Sequence, residues 1–237
     1  MLAPMLRAVR RPSAAATAAG ALGVALAGAL SGCAGIGQPA PYDSPGINGL
    51  VVPTPSPDPN DFVKGVDNPW LPLGEGAAWS YEVTDAGRTL GVVDVEVVQT
   101  ASVVAGLAAT EVLTTRDIAG ERTEETRFYA QDDDGNVWLV GADVDGKSWR
   151  AGEAGAEAGL AMPADPRLGD GWLAYEVPGL PRASTTIEEQ TRELVQTRDE
   201  GLAEADSLAR NVYEKGVGLA GVEDLDAGWT ARLAEQP

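Results

Sequence analysis

Hydrophobic and polar residues alternate along much of the chain from residue 77 onward. In TLGVVDVEVVQ (89–99), Val93, Val95 and Val97 are separated by Asp94 and Glu96. That period of two buries one face of a strand and wets the other. AAWSYEVT (77–84) places Trp79 and Tyr81 on one side, and NVWLVGA (136–142) does the same for Trp138 and Val140. TRFYAQ (126–131) reads as the strand before NVWLVGA, across a turn. Turn chemistry recurs at Asp85-Ala86-Gly87, Ala119-Gly120-Glu121, Asp133-Asp134-Gly135-Asn136 and Asp145-Gly146. Short β-rich runs joined this way predict hairpins rather than βαβ units. The expected fold class is mostly β: an antiparallel meander forming one curved sheet or an incomplete barrel.

Two segments read less cleanly. In STTIEEQTRELVQTRDEG (184–201), Thr186 and Glu189 fit a capping box, and Ile187, Thr191, Leu194 and Val195 could line a helix face, so the pattern leaves helix and strand both open. VYEKGVGLAGVEDL (212–225) alternates like a strand interrupted by Gly216 and Gly218, which permit a bend or bulge.

Ahead of this region the pattern changes. Arg7, Arg10 and Arg11 lead into the uncharged, Ala- and Gly-rich run 13–30, the order of a secretory signal with an n-region and an apolar h-region. Leu30-Ser31-Gly32-Cys33 follows, and in that position it resembles the lipobox of bacterial lipoproteins. The resemblance implies cleavage between Gly32 and Cys33, lipidation of Cys33, and attachment to the membrane through it. An uncleaved anchor is disfavoured because Ala and Gly make a poor span and eighteen residues only reach the lower edge of the ~17–25 required. Residues 34–61 hold seven prolines and no apolar period, the composition of a semi-extended spacer that reaches roughly 30 Å as a coil. The expected organisation is thus a signal peptide helix at 1–32, a Pro-rich tether at 33–61 and one acidic β domain at 62–237.

Charge and composition narrow the function classes. With the signal removed, fourteen Lys+Arg face thirty-six Asp+Glu, a net charge of −22. Such a surface repels nucleic acid phosphates, so no nucleic acid partner is expected. The chain holds one cysteine and no histidine. No intramolecular disulfide can form, and Ser-His-Asp, Cys-His and the common zinc arrangements are all excluded.

Four segments taken together are similar in order and spacing to a family of bacterial secreted proteins and lipoproteins to which no activity is attached. They are DNPWLPLGEGAAWSYEV (67–83), FYAQDDDGNVWLVG (128–141), WRAGEAGAEAGLAMPADPRLGDGW (149–172) and YEKGVGL (213–219). The elements NPWLPL, QDxxGNVW and MPAxPxxGD carry the resemblance, which spans nearly the whole domain. The chain departs from that pattern in lacking histidine and in being shortened around Thr191. What the resemblance implies is that 187–190 and 193–197 form strands; it brings no catalytic role.

Candidate chemistry is sparse. Asp132, Asp133 and Asp134 invite a calcium reading, but Gly135 directly after three acids breaks the EF-hand spacing. A tight hairpin turn with solvated acids fits better, and no metal or other cofactor is expected. A carboxylate pair acting on glycans is possible in any chain with 36 acids, yet no spacing selects one. Six Trp against two Phe is unusual. Trp79, Tyr81, Trp138 and Trp172 are the candidate lining of an apolar ligand site, with core packing as the alternative role. The expected function is non-enzymatic: a lipid-anchored protein at the outer face of the cytoplasmic membrane that binds or presents an apolar small molecule or lipid. The rival is an envelope interaction or scaffold domain without a cavity, and a glycan-acting enzyme ranks third. An enclosed apolar cavity favours the first, and a filled interior with an exposed apolar patch the second.

Overall fold

The computed structural model describes residues 58–98, 102–202 and 207–236. The signal segment, Gly32, Cys33 and the tether up to residue 57 lie outside the described residues. After a 3-10 turn at Pro59–Asp61, fifteen strands follow: β1 (Phe62–Val63), β2 (Ala78–Asp85), β3 (Arg88–Val97), β4 (Ser102–Val104), β5 (Leu107–Ile118), β6 (Glu121–Asp132), β7 (Val137–Val144) and β8 (Lys147–Arg150) in the first half. The second half holds β9 (Glu157–Met162), β10 (Gly171–Glu176), β11 (Ala183–Gln190), β12 (Leu194–Glu200), β13 (Leu208–Glu214), β14 (Gly218–Asp224) and β15 (Thr230–Glu235). No helix among the described residues is long and apolar enough to cross a membrane.

All strands join one antiparallel sheet, as the alternation and turn chemistry require. Pairing runs β6-β5-β3-β2-β15-β14-β13-β12-β11-β10-β9-β7, with β1 beside β6, β8 beside β7 and β4 folded onto β5. Because β7 also pairs with β6, the sheet curls back on itself. The curl is uneven rather than a regular barrel. β9 meets β10 only through Tyr175↔Ala158 and Glu176↔Glu157, whereas β5 and β6 pair continuously from Thr110↔Tyr129 to Ile118↔Glu121. At the first of these joints a Cβ on Gly159 would lie 2.2 Å from the carbonyl carbon of Ala174, so only glycine allows the approach.

The hairpins carry the turn chemistry read from the sequence. Ala86-Gly87, Ala119-Gly120 and Asp145-Gly146 all take positive φ at both residues, the conformation whose twist matches that of the flanking strands. Residues 184–201 form β11 and β12 rather than a helix. Thr186 and Glu189, the capping-box pair, both lie within β11 and cap nothing helical; Thr191 Oγ1 accepts from the Leu194 backbone N–H at 2.9 Å and closes the hairpin. Ile187 and Val195 are buried while Thr191 is exposed, which is the strand period and not the helical one. The same hairpin logic makes the Gly216-to-Gly218 interruption a turn between β13 and β14.

The main core gathers Trp70, Trp79, Tyr81, Val83, Val97, Val137, Val140, Ile187 and Val195, each large aliphatic or aromatic side chain contributing about 1.5–3 kcal/mol by leaving water. A smaller cluster of Leu139, Ala174, Tyr175 and Ala183 sits under β9 and β10. The unit 41–237 is compact by itself, and every strand pairing described above lies within it, so it carries its own core as a folding unit.

Candidate functional site

The inner face of the sheet is not filled. It lines a partly enclosed cavity of about 520 Å³, within the ~300–1,000 Å³ typical of small-molecule sites. One wall follows directly from the alternation of β2 and β3. Trp79 pairs with Val95 and Tyr81 with Val93, and all four line the cavity. The polar tips of both aromatics are satisfied by β14 and the turn before it: Trp79 Nε1 donates to the Val217 carbonyl at 3.2 Å and Tyr81 Oη to the Leu219 carbonyl at 2.8 Å. Burial pushes the Tyr81 phenol well above its ordinary pKa, so it stays a neutral donor.

The floor is a plug formed by the loop that follows β1. Leu71, Pro72 and Leu73 line the cavity, and a polar network holds the loop in place. Asn68, only 2% exposed, accepts from the Trp70 N–H at 2.8 Å and donates to the carbonyls of Gly135 and Pro163 at 2.9 and 3.1 Å. Gln131 Oε1 accepts from the N–H groups of Asp67 and Asn68, both at 2.9 Å. Asn136 Oδ1 accepts from Ala164 N–H at 3.0 Å, and Gly216 N–H donates to the Pro69 carbonyl at 2.6 Å. The four sequence elements that resemble the secreted-protein family therefore meet at this one closed end. Asp67, Asn68, Gln131, Asp132 and Asn136 from these elements are engaged in building it.

The Asp132–Asp134 segment belongs to the same end. Asp132 is 1% exposed. Its carboxylate accepts from the Asn136 N–H at 2.8 Å and from Trp138 Nε1 at 2.8 Å. Gly135 supplies the positive φ the turn needs. No group of three acidic or other ligating side chains able to hold a metal ion occurs among the described residues. The network accounts for Asp132 as a turn residue.

Of the four aromatic candidates, the structure brings only Trp79 and Tyr81 to the cavity wall. Trp138 and Trp172 are both 3% exposed but are not among the lining residues. Register irregularities explain the Trp138 placement. Pairing of β6 with β7 skips Val140, and pairing of β7 with β9 skips Ala161. These bulges break the strict alternation, so Leu139 and Leu160 line the cavity while the Trp138 indole is held by Asp132. Trp172 packs in the main core, and its Nε1 has no partner among the described residues.

The strands flanking the β2–β3 wall add polar lining that was not legible in the sequence. Thr114 and Arg116 on β5, Glu125, Arg127 and Tyr129 on β6, Asp199 on β12, and Asn211 and Tyr213 on β13 all line the cavity. Glu125 sits between two guanidiniums: Arg116 Nη1 donates to Oε2 at 2.8 Å, and Arg127 pairs with Oε1. Burial alone would raise the Glu125 pKa, but Arg127 and Arg116 outweigh it and hold the carboxyl below its ordinary range. Burial also works against the Arg127 charge, and Glu125 with the Tyr129 hydroxyl more than restores it. Asp199 is different. Burial raises its carboxyl to about 6, against hydrogen bonds from Thr185, Thr197 and Asn211 and the charge of Arg127. A period of two would have found these residues had the inner face been allowed to be polar. In ERTEETRFYAQD, Thr123, Glu125 and Arg127 alternate as a solvated strand does.

No protein-family profile matches the chain, and no curated protein does. Two crystal structures are similar. One is a candidate lipoprotein of Parabacteroides distasonis, 12% identical over 71% of this chain and 98% of its own, with a TM-score of 0.39. The other is a candidate exported protein with a YmcC-like fold from Bacteroides fragilis, 12% identical over 75% of this chain and 99% of its own, with a TM-score of 0.37. At these values the likeness carries no functional argument.

Proposed function

We propose that this chain is an exported lipoprotein, held at the outer face of the cytoplasmic membrane through Cys33, whose β domain takes an apolar small molecule or lipid into its interior. One observation carries the ligand part of this reading: the inner face lines a partly enclosed cavity of about 520 Å³ where a scaffold domain would be packed. The exposed large apolar residues, Val63, Val92, Val103 and Leu168, fall on three separate strands and one loop, and scattered residues of this kind need no partner. The signal-like order of 1–32 and the tether supply the address.

A carboxylate-pair enzyme has one observation in its favour, since Glu125 and Asp199 line one cavity and their environments push their pKa values apart. Both acids are nevertheless engaged internally, Glu125 by two arginines and Asp199 by Asn211 and Thr197. Neither has an oxygen free for a substrate.

The test is native mass spectrometry of segment 41–237 after export in a bacterial host, combined with uptake of the neutral fluorophore N-phenyl-1-naphthylamine. A retained mass removed by organic extraction, and probe uptake weakened several-fold in Trp79→Ala, are expected. A clean apo mass with no probe uptake would leave the scaffold reading in its place.

A further inference from the structure

The cavity is apolar at one end and cationic farther along, and that asymmetry specifies a class of ligand. The plug residues Leu71, Pro72 and Leu73, with Trp79 and Val95, form the apolar end. Moving along β5 and β6 away from the plug, the lining passes from Val112 and Tyr129 to Arg116 and Arg127. We infer that the cavity receives a single-chain amphiphile with an anionic headgroup, its chain toward the plug and its carboxylate or phosphate on Arg116 beside Arg127. This rests on the carrier reading above and narrows it.

Three features support the inference. First, two guanidiniums share the single carboxylate of Glu125. Arg116 spends only Nη1 on it, and none of its other N–H groups has a partner among the described residues. A guanidinium fork with free donors in a partly enclosed site fits a planar or tetrahedral oxyanion. Second, the remaining interior acid offers no competition for those donors, because Asp199 accepts from Thr197 at 3.2 Å and from Asn211. Third, two acids at the far end, Asp224 and Glu124, are committed elsewhere. Asp224 Oδ1 accepts from the N–H groups of Asp226 and Ala227 at 3.0 and 2.7 Å, and Glu124 is 59% exposed and pairs with Arg122. The remaining lining acid, Asp145, lies exposed on the β7–β8 turn, so a cationic headgroup would find an unoccupied carboxylate only at the rim and none among the buried lining residues.

Glu125 then acts as the internal occupant of the headgroup position. Weakening its hold on the arginines should improve ligand binding while costing stability, a combination a purely structural ion pair would not produce.

The experiment titrates segment 41–237 with cis-parinaric acid and with its methyl ester, which share one chain and differ only in charge. The acid should bind about tenfold more tightly than the ester or better, a difference of ~1.4 kcal/mol per decade. Arg116→Gln should remove most of that preference and leave ester binding within about twofold. Glu125→Gln should raise affinity for the acid, and it serves as the second test if Arg116→Gln does not fold. Displacement by dodecanoate and by dodecyl phosphate distinguishes the two headgroup chemistries, and either supports the inference. Equal binding of acid and ester, or equal displacement by dodecanol or dodecylammonium, would overturn it while leaving the carrier reading intact. Binding of neither probe would overturn both.

Discussion

Replacing Asp199 by Asn should stabilise the protein at neutral pH, by an amount that shrinks as pH falls toward 4. Burial lifts the Asp199 carboxyl from its ordinary 3.8 to about 6. A folded-state value above the unfolded one means that the folded chain holds a proton the unfolded chain has released. The stability carried by the protonated form is therefore complete below pH 4 and is lost as pH rises through 6. Two units at ~1.4 kcal/mol each bound the loss at about 3 kcal/mol, and contact with the cavity lowers it to about 1–3 kcal/mol by admitting water. Asn keeps the shape. Its Oδ1 can accept from Asn211, and its amide can donate to the Thr197 hydroxyl, which rotates to accept. Urea unfolding of segment 41–237 followed by tryptophan fluorescence at pH 4.5, 6 and 7.5 measures the difference directly. Glu125 contributes with the opposite sign, because its carboxyl is held below its ordinary value; it is common to both proteins, so it cancels in the comparison. A wild-type-to-variant gap that does not grow with pH, or a variant less stable at pH 7.5, would refute the reasoning.

Three further outcomes are expected. Asn68→Ala should lower stability by about 2–4 kcal/mol in urea titration, because it strands the buried Trp70 N–H and the Gly135 and Pro163 carbonyls; a neutral result would mean that the plug is not held by this network. Gly159→Ala should cost about 1–3 kcal/mol through the Ala174 backbone clash, whereas Gly74→Ala, with nothing within 4 Å of its added Cβ, should leave the melting temperature nearly unchanged. Cys33→Ser should leave an unprocessed, unacylated precursor; each buried acyl CH₂ contributes ~0.8 kcal/mol to membrane affinity, so membrane fractionation and mass analysis will register the loss, and normal cleavage and retention in the mutant would contradict the lipoprotein reading.

The strands of this protein were legible in its sequence because their signals are local. Pleating alone puts Val93, Val95 and Val97 on one face, and Ala86-Gly87 or Asp145-Gly146 can turn a hairpin without help from the rest of the chain. The 184–201 segment was ambiguous because its inward positions include Thr185, Thr197 and Asp199, which blur a hydrophobic period. Trp79 and Tyr81 could be placed on one face for the same local reason, but whether that face meets a void or a packed layer depends on closure of the sheet. Closure sums many distant pairings, β6 with β7 and β2 with β15 among them. Bulges near Val140 and Ala161 then moved Trp138 off the cavity wall, a one-residue shift that no alternation rule contains. The motif residue Asn68 is far in sequence from Gln131 and Asn136, and only the fold reveals them as parts of one plug. Likewise Arg116, Glu125, Arg127 and Asp199 look like solvated strand residues, since polarity in a sequence marks contact with something polar but not whether that is bulk water or an enclosed cavity. The alternation and turns thus determined the elements, and the curvature that folds one face inward, set by non-local pairing, decided which of their polar residues face the cavity.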